Sequence, residues 1–479
     1  MSQPAPASPP APPKAGFLAR TAIRAANWSE RWFPNTLVFA LLVVALVAVA
    51  AIAIGASPMR VATAFGGGFW DLIPFTMQMA MVAIGGYVVA TAGPIRKVID
   101  RLARLPRTGR GAIAMVAALS LVSALFNWGF SLIFSALLVR RLAARADLRM
   151  DYRAAGAAAY LGLGGSWALG LSSSAAQLQA NRASIPSSLL PVTGVIPFRE
   201  TIFSWQSLLL AAVVVSVCVA VAFFSAPRGG LIRTADDLGV DPRDPVEQDP
   251  PRSRPGEWLE YSPLLTIVVV ALVGGWAVGE FGGKDPIAAI SGLNTYNLLF
   301  LALGLLLHWR PRRFLAAVTK AVPATGGVLI QFPFYAGIAA ILTKATDSAG
   351  HSVSHYLGAA FTGATVGGLF PLLIGGYSIV LGFLIPSGGG KWVIEAPYVM
   401  QAANDAHVSL GWTVQIYNAA EALPNLINPF WMLPLLGVLS LKARDIVGFT
   451  FTYLIVLLPL VLALLTLLAP TLAYHPPVH

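Results

Sequence analysis

Nearly uncharged apolar runs recur along this chain with short basic clusters between them, and this alternation restricts the fold more than any other feature. Residues 37–54, 69–92, 208–224, 264–279, 294–307, 325–342 and 447–468 approach the length a helix needs to cross a bilayer. In hydrocarbon every backbone N–H and C=O must be satisfied within the chain, so such runs are helices. Of 479 residues 56% are hydrophobic and 11% charged, against about 25% charged in an ordinary soluble domain. The fold class is therefore an all-α polytopic membrane protein. Cys218 is the one cysteine and lies among valines, which leaves no disulfide or thiolate metal site within the chain.

The basic clusters orient the spans, because cytoplasmic loops collect Lys and Arg. Residues 1–34, with Lys14, Arg20, Arg24 and Arg31, read as a cytoplasmic tail, and the first span is a retained helix rather than a signal peptide. A loop carrying Arg96, Lys97, Arg101, Arg104, Arg107 and Arg110 precedes the apolar stretch 112–139, and Arg140, Arg141, Arg145, Arg149 and Arg153 follow it. Both ends are thus cytoplasmic. A continuous helix of about 28 residues would span roughly 42 Å and emerge on the wrong side. Two legs of about 13 residues each, turning at Phe126-Asn127-Trp128-Gly129, make a re-entrant hairpin instead, with two complete short spans as the alternative. All of the 32 Lys and Arg fall in segments placed in the cytoplasm except Arg60, Arg182, Arg199, Lys284, Lys344 and Lys391. The net charge of +11 is explained by this skew without nucleic acid.

Residues 154–178, interrupted by Gly162, Gly164, Gly165, Gly170 and Ser172-Ser173-Ser174, read as a broken helix. The first half covers 35–225, a polar cytoplasmic linker 226–262, and a connecting helix 263–285. Residues 286–479 then repeat the order span, span, hairpin, broken span and span in the opposite direction, from Asn294-Thr295 where the first half has Asn35-Thr36. The second hairpin falls within 357–400, around Pro386 and Gly388-Gly389-Gly390. The second broken helix covers 412–439, with breaks at Pro424-Asn425 and Asn428-Pro429. The C-terminus ends outside. An inverted repeat with discontinuous helices points to a secondary transporter with its site at the midplane.

Several motifs carry a resemblance. Phe65-Gly66-Gly67-Gly68-Phe69-Trp70, Met77-Gln78-Met79-Ala80, Asn127-Trp128-Gly129-Phe130, Gln331-Phe332-Pro333-Phe334-Tyr335-Ala336-Gly337, Pro386-Ser387-Gly388-Gly389-Gly390 with Trp392, and Asn425 with Pro429-Phe430-Trp431 resemble the short-chain fatty acid transporter family over most of the chain. That family is similar in turn to a superfamily of ion-coupled carboxylate and anion carriers. The resemblance implies uptake of acids such as acetoacetate or butyrate across the bacterial inner membrane, by an elevator-like homodimer. Its alternatives are a carrier of a different organic anion or a sodium/proton exchanger of the same superfamily. The chain departs from the family pattern at Lys391 and Glu395, where Gln or His and then Gln are common, at Asn428, where Gln is usual, and in Leu169-Gly170-Leu171-Ser172-Ser173-Ser174, which is richer in hydroxyls.

A carboxylate in a low-dielectric cavity needs hydrogen-bond donors and positive potential, and helix N-termini supply both. The backbone N–H groups after Ser387, Gly388, Gly389 and Gly390 provide them, with Ser387 and Asn127 as side-chain donors and Ser172 and Ser173 as nearby hydroxyls. Carbonyls near Asn127, Gly129, Ser387 and Asn425 offer oxygen ligands for Na⁺. Trp128 and Trp392 flank the apolar tail. Gln78 and Gln331 read as hydrogen bonds between helices, with a site role as the alternative. Lys391 is either the substrate's counter-ion or is neutralised by Glu395, and Glu421 is the candidate carrier if the coupling ion is H⁺. No enzyme is expected. His351 and His355 are the one histidine pair at metal-like spacing and have no acidic partner beside them, and neither a nucleophile with its base nor a cofactor site is apparent. A channel has similar composition and differs in lacking saturable, gradient-driven uptake.

Overall fold

The computed structural model describes residues 36–243, 251–283, 285–364, 368–428 and 430–478. The N-terminal tail, Asn35, Lys284, Pro429 and linker residues 244–250 lie outside the described residues. Among the described residues the regular secondary structure is all helical, apart from one isolated antiparallel bridge between Thr346 and Ser352. Six of these helices are long and apolar enough to cross a membrane, and the chain is an integral membrane protein.

Before the linker come α1 (Thr36–Ala53), α2 (Pro58–Gly68), α3 (Ile73–Thr91), α4 (Gly93–Leu102), α5 (Gly109–Phe126), α6 (Trp128–Ala143), α7 (Tyr152–Leu161), α8 (Ser174–Ala180) and α9 (Trp205–Ser225). After it come α10 (Leu264–Gly282), α11 (Leu293–His308), α12 (Pro311–Ala321), α13 (Gly326–Lys344), α14 (Val353–Ala364), α15 (Phe370–Leu384), α16 (Gly388–Asp405), α17 (Leu410–Asn425), α18 (Leu433–Leu439) and α19 (Ala443–Leu468).

Helices α5 and α6 fold back on each other at Asn127, and Ser131 Oγ donates to the Ser120 carbonyl across the pair (2.7 Å). Their legs have 18 and 16 residues, longer than expected. Thr108 caps α5 four residues before the apolar stretch begins, and α6 continues through Arg140. Arg140 can sit there because its guanidinium donates to the carbonyls of Val438 (3.0 Å), Asp241 (3.1 Å) and Arg243 (2.7 Å).

Part of the basic loop is helical. In α4, Ile95, Ile99 and Leu102 turn to the core at helical spacing, while the basic side chains take the other face. Helix α12 does the same with Phe314, Ala317, Val318 and Ala321, packed against Ile84 and Val88 of α3. Residues 357–400 hold parts of three helices, not two. Helices α15 and α16 meet at Ile385-Pro386-Ser387, with the Tyr377 and Tyr398 hydroxyls 2.8 Å apart.

The first broken helix loosens where α7 ends, into a π-turn over Gly162–Ser166 and a 3₁₀ turn over Trp167–Leu169. A Cβ on Gly162 would lie 2.5 Å from Ser120 O and Ser131 Oγ, so this close approach requires glycine. Helix α8 restarts with Ser173 as its N-cap. The second break follows Asn425, and the 162–169 turns pack against α17. Every residue of α17 is buried, whereas Thr266 alone is buried on α10. Helix α17 therefore lies at the centre and α10 at the periphery, where an apolar surface suits a lipid solvent.

Candidate functional site

Two helices begin at the two reversals, and both are capped in the same way. Asn127 is extended (φ −157°, ψ 119°), and its Oδ1 accepts from Phe130 N at 2.8 Å. Ser387 is also extended (φ −149°, ψ 101°), and its Oγ accepts from Gly390 N at 3.3 Å. Each cap satisfies one of the N–H groups that a helix start leaves without an intrahelical partner.

Around the Ser387 tip lies a cavity of about 40 Å³. Trp128, Trp167, Phe332 and Trp431 form aromatic walls, with Met79, Leu163 and Val328 between them. Ser174, Ser387, Gly388, Gly389 and Asn425 supply its polar atoms, and among the described residues no charged side chain lines it. Trp128 and Trp431 meet edge to face at 5.5 Å, and Trp431 Nε1 donates to the Pro386 carbonyl (2.7 Å), which pins the tip. The Asn425 Oδ1 is buried without a hydrogen-bond partner among the described residues. Gly388 and Gly389 are the first two residues of α16, so their N–H groups have no intrahelical acceptor. A carboxylate here would meet neutral donors and the positive end of a helix.

The triple glycine is explained by packing. A Cβ at Gly388 would stand 2.4 Å from the Trp167 ring, at Gly389 2.8 Å from Phe75, and at Gly390 2.0 Å from Tyr335. Three aromatic side chains press on the first turn of α16, and only hydrogen fits beneath them.

Of the residues expected at the site, Trp128, Ser387, Gly388, Gly389 and Asn425 line the cavity, while Gly390 is covered by Tyr335. Asn127 stands outside the wall, and its Nδ2 donates to Val82 O (3.2 Å) and the Tyr296 hydroxyl (2.9 Å). Gly129 lies against the backbone of Ala83. Ser172 Oγ accepts from Trp128 N (3.0 Å), and Ser173 Oγ donates to Asn418 Oδ1 (3.1 Å), so both hydroxyls position helix starts from outside the wall. Trp392 packs on Tyr417 instead of flanking the cavity. Gln78 joins helices through Asn294 (2.8 Å) and Ser184 (3.1 Å), and Gln331 accepts from Tyr335 one turn on.

Lys391 also lies outside the wall. Its ammonium is fully buried, 2.6 Å from Glu421 Oε2 and 3.2 Å from Glu395 Oε1, and it donates to the Ser378 carbonyl at 2.7 Å. Of the two alternatives for Lys391, neutralisation is the one this geometry supports. Glu421 joins Glu395 as a partner from thirty positions away, which no local spacing reveals. Sequence reasoning also left Trp167 and Ser174 out of the site. Met79, Phe332 and Trp431 stood in the resembling motifs without an assigned role.

Broken helices converging on a buried, largely apolar cavity with a helix N-terminus at its edge define the architecture of a membrane transporter. Two solved structures share the fold over nearly their full lengths. These are the YdaH transporter of Alcanivorax borkumensis (TM-score 0.56, 17% identity, 93% of this chain and 100% of that one) and MtrF of Neisseria gonorrhoeae (TM-score 0.60, 14% identity, 94% and 98%). The chain belongs to the family described as "Short chain fatty acid transporter", which it matches over residues 17–468. It is 31% identical over 433 residues to an Escherichia coli K12 protein, covering 89% of this chain and 94% of the relative. A Haemophilus influenzae relative is 29% identical over 451 residues, 93% and 98% respectively. Both carry the name "Putative short-chain fatty acid transporter".

Proposed function

We propose that this protein carries short-chain monocarboxylates such as butyrate or acetoacetate across the bacterial inner membrane. The observation that carries the reading is the composition of the cavity: aromatic and aliphatic walls for a short tail, helix N–H groups for a carboxylate, and no charged side chain among the described residues. Lys391 and Glu395, the charged departures from the family pattern, lie outside that wall, which favours the family's substrate class over another organic anion. The Lys and Arg distribution supports a cytoplasmic N-terminus and a periplasmic C-terminus. The matching caps at Asn127 and Ser387 support an inverted repeat. An elevator movement in a homodimer follows from the resemblance. Coupling is to H⁺ or Na⁺, and the internal bonding of Asn127 favours H⁺ over an oxygen cage for Na⁺.

The test is uptake by purified protein in liposomes, from acetate to hexanoate, under separate Na⁺ and H⁺ gradients. Rates are taken above protein-free vesicles, because these acids cross lipid in their neutral form. Saturable butyrate uptake is expected, and Trp128→Ala should weaken it. Transport of another class of anion with none of these acids would overturn the reading.

A further inference from the structure

Beneath the glycine tip lies a charge cluster that the cavity does not use. Lys391 of α16 donates to the Ser378 carbonyl of α15 and is ion-paired with Glu395 one turn on and with Glu421 of α17. All three charged side chains are buried. Fully ionised, the cluster would carry one ammonium and two carboxylates, leaving one negative charge without a counter-ion in a medium that penalises unpaired charge heavily. The two acids are not equally supported. Glu395 is ion-paired with Lys391 and accepts from the Ser378 hydroxyl, whereas Lys391 is the one partner of the Glu421 carboxylate among the described residues. The other titratable groups facing the cluster are Tyr335 of α13, Tyr377 of α15, Tyr398 of α16 and Tyr417 of α17. Tyr417 links cluster and cavity, since its ring faces the Lys391 ammonium at 4.7 Å and its hydroxyl donates to the Gly388 carbonyl.

We infer that Lys391, Glu395 and Glu421 form a binding site for one exchangeable proton, held on the Glu421 carboxyl, which travels with the substrate anion. One proton from the outer solution neutralises the cluster when the anion binds under the glycine tip, and both leave on the inner side. The coupled movement rests on the transport reading above. The proton site rests on geometry alone.

The experiment has two arms, both on the full chain. In purified protein, infrared difference spectra across a pH step should contain a carboxylic-acid carbonyl band in the wild type. It should be absent in Glu421→Gln, and also absent in Glu395→Gln, where the remaining Lys391 and Glu421 balance as ions. Glu421→Asp should restore it. In liposomes, a trapped pH dye should report proton entry with butyrate, cut about tenfold or more in Glu421→Gln and regained in Glu421→Asp. Gel filtration confirms that each variant folds, and Glu395→Gln still decides the infrared arm if Glu421→Gln does not. A band that persists in Glu421→Gln, a wild type with no titrating band, or uptake driven by Na⁺ alone would overturn the proton site. A titrating band in a wild type that moves no butyrate would sink the substrate reading and leave the site standing.

Discussion

Replacing Lys391 by Gln removes the one cation from a pocket that holds two acids, with contacts at 2.6 and 3.2 Å, and leaves at least one carboxylate buried without compensation. Breaking a buried ion pair from one side costs about 3–5 kcal/mol, because the charge left behind has lost both water and partner. Neutralising all three groups together, as Lys391→Gln/Glu395→Gln/Glu421→Gln, removes the unpaired charge and should recover most of that loss, since neutral replacement of buried ion clusters is often nearly isoenergetic. The remaining acids can protonate, so the single variant should be least stable at alkaline pH and recover as the pH falls. The assay is thermal unfolding in detergent, followed by tryptophan fluorescence, for the wild type, Lys391→Gln and the triple variant at mildly acidic and alkaline pH. A Lys391→Gln protein as stable as the wild type at alkaline pH would refute the ionised cluster.

Gly390→Ala places a Cβ 2.0 Å from Tyr335 and should cost about 1–3 kcal/mol through overpacking, read as lower thermal stability, while Gly66→Ala, with nothing within 4 Å, should be neutral. Trp431→Phe keeps a ring in the wall but loses the bond to Pro386, so the KM for butyrate should rise by roughly fivefold, the equivalent of about 1 kcal/mol. In the linker, the Ser253 backbone N–H, with further bonds from Arg254 and the Ser253 hydroxyl, holds the Glu257 carboxyl down to about 2. Its contribution is therefore complete above the ordinary carboxylate range and lost as the pH falls towards that value. Hydrogen exchange at Ser253 should stay slow until strongly acidic pH in the wild type and be fast throughout in Glu257→Gln.

Most helices and breaks were legible in the sequence, because span length, glycine and capping side chains act within a few residues. Asn127 and Ser387 were recognisable as turning points for that reason. Helices α4 and α12 were equally local, yet their basic residues masked the apolar face marked by Ile95, Ile99 and Leu102 in one and by Phe314, Ala317 and Val318 in the other. What the tertiary structure alone decided is which groups meet. The aromatic cover of Gly388, Gly389 and Gly390 comes from Trp167, Phe75 and Tyr335 on three other segments, and the second carboxylate on Lys391 comes from α17. Local sequence determines where a helix starts, whereas packing between distant segments determines what its first turn faces. Lys391, the residue directly after the glycines, therefore had two readings until packing turned it away from the cavity and onto two acids.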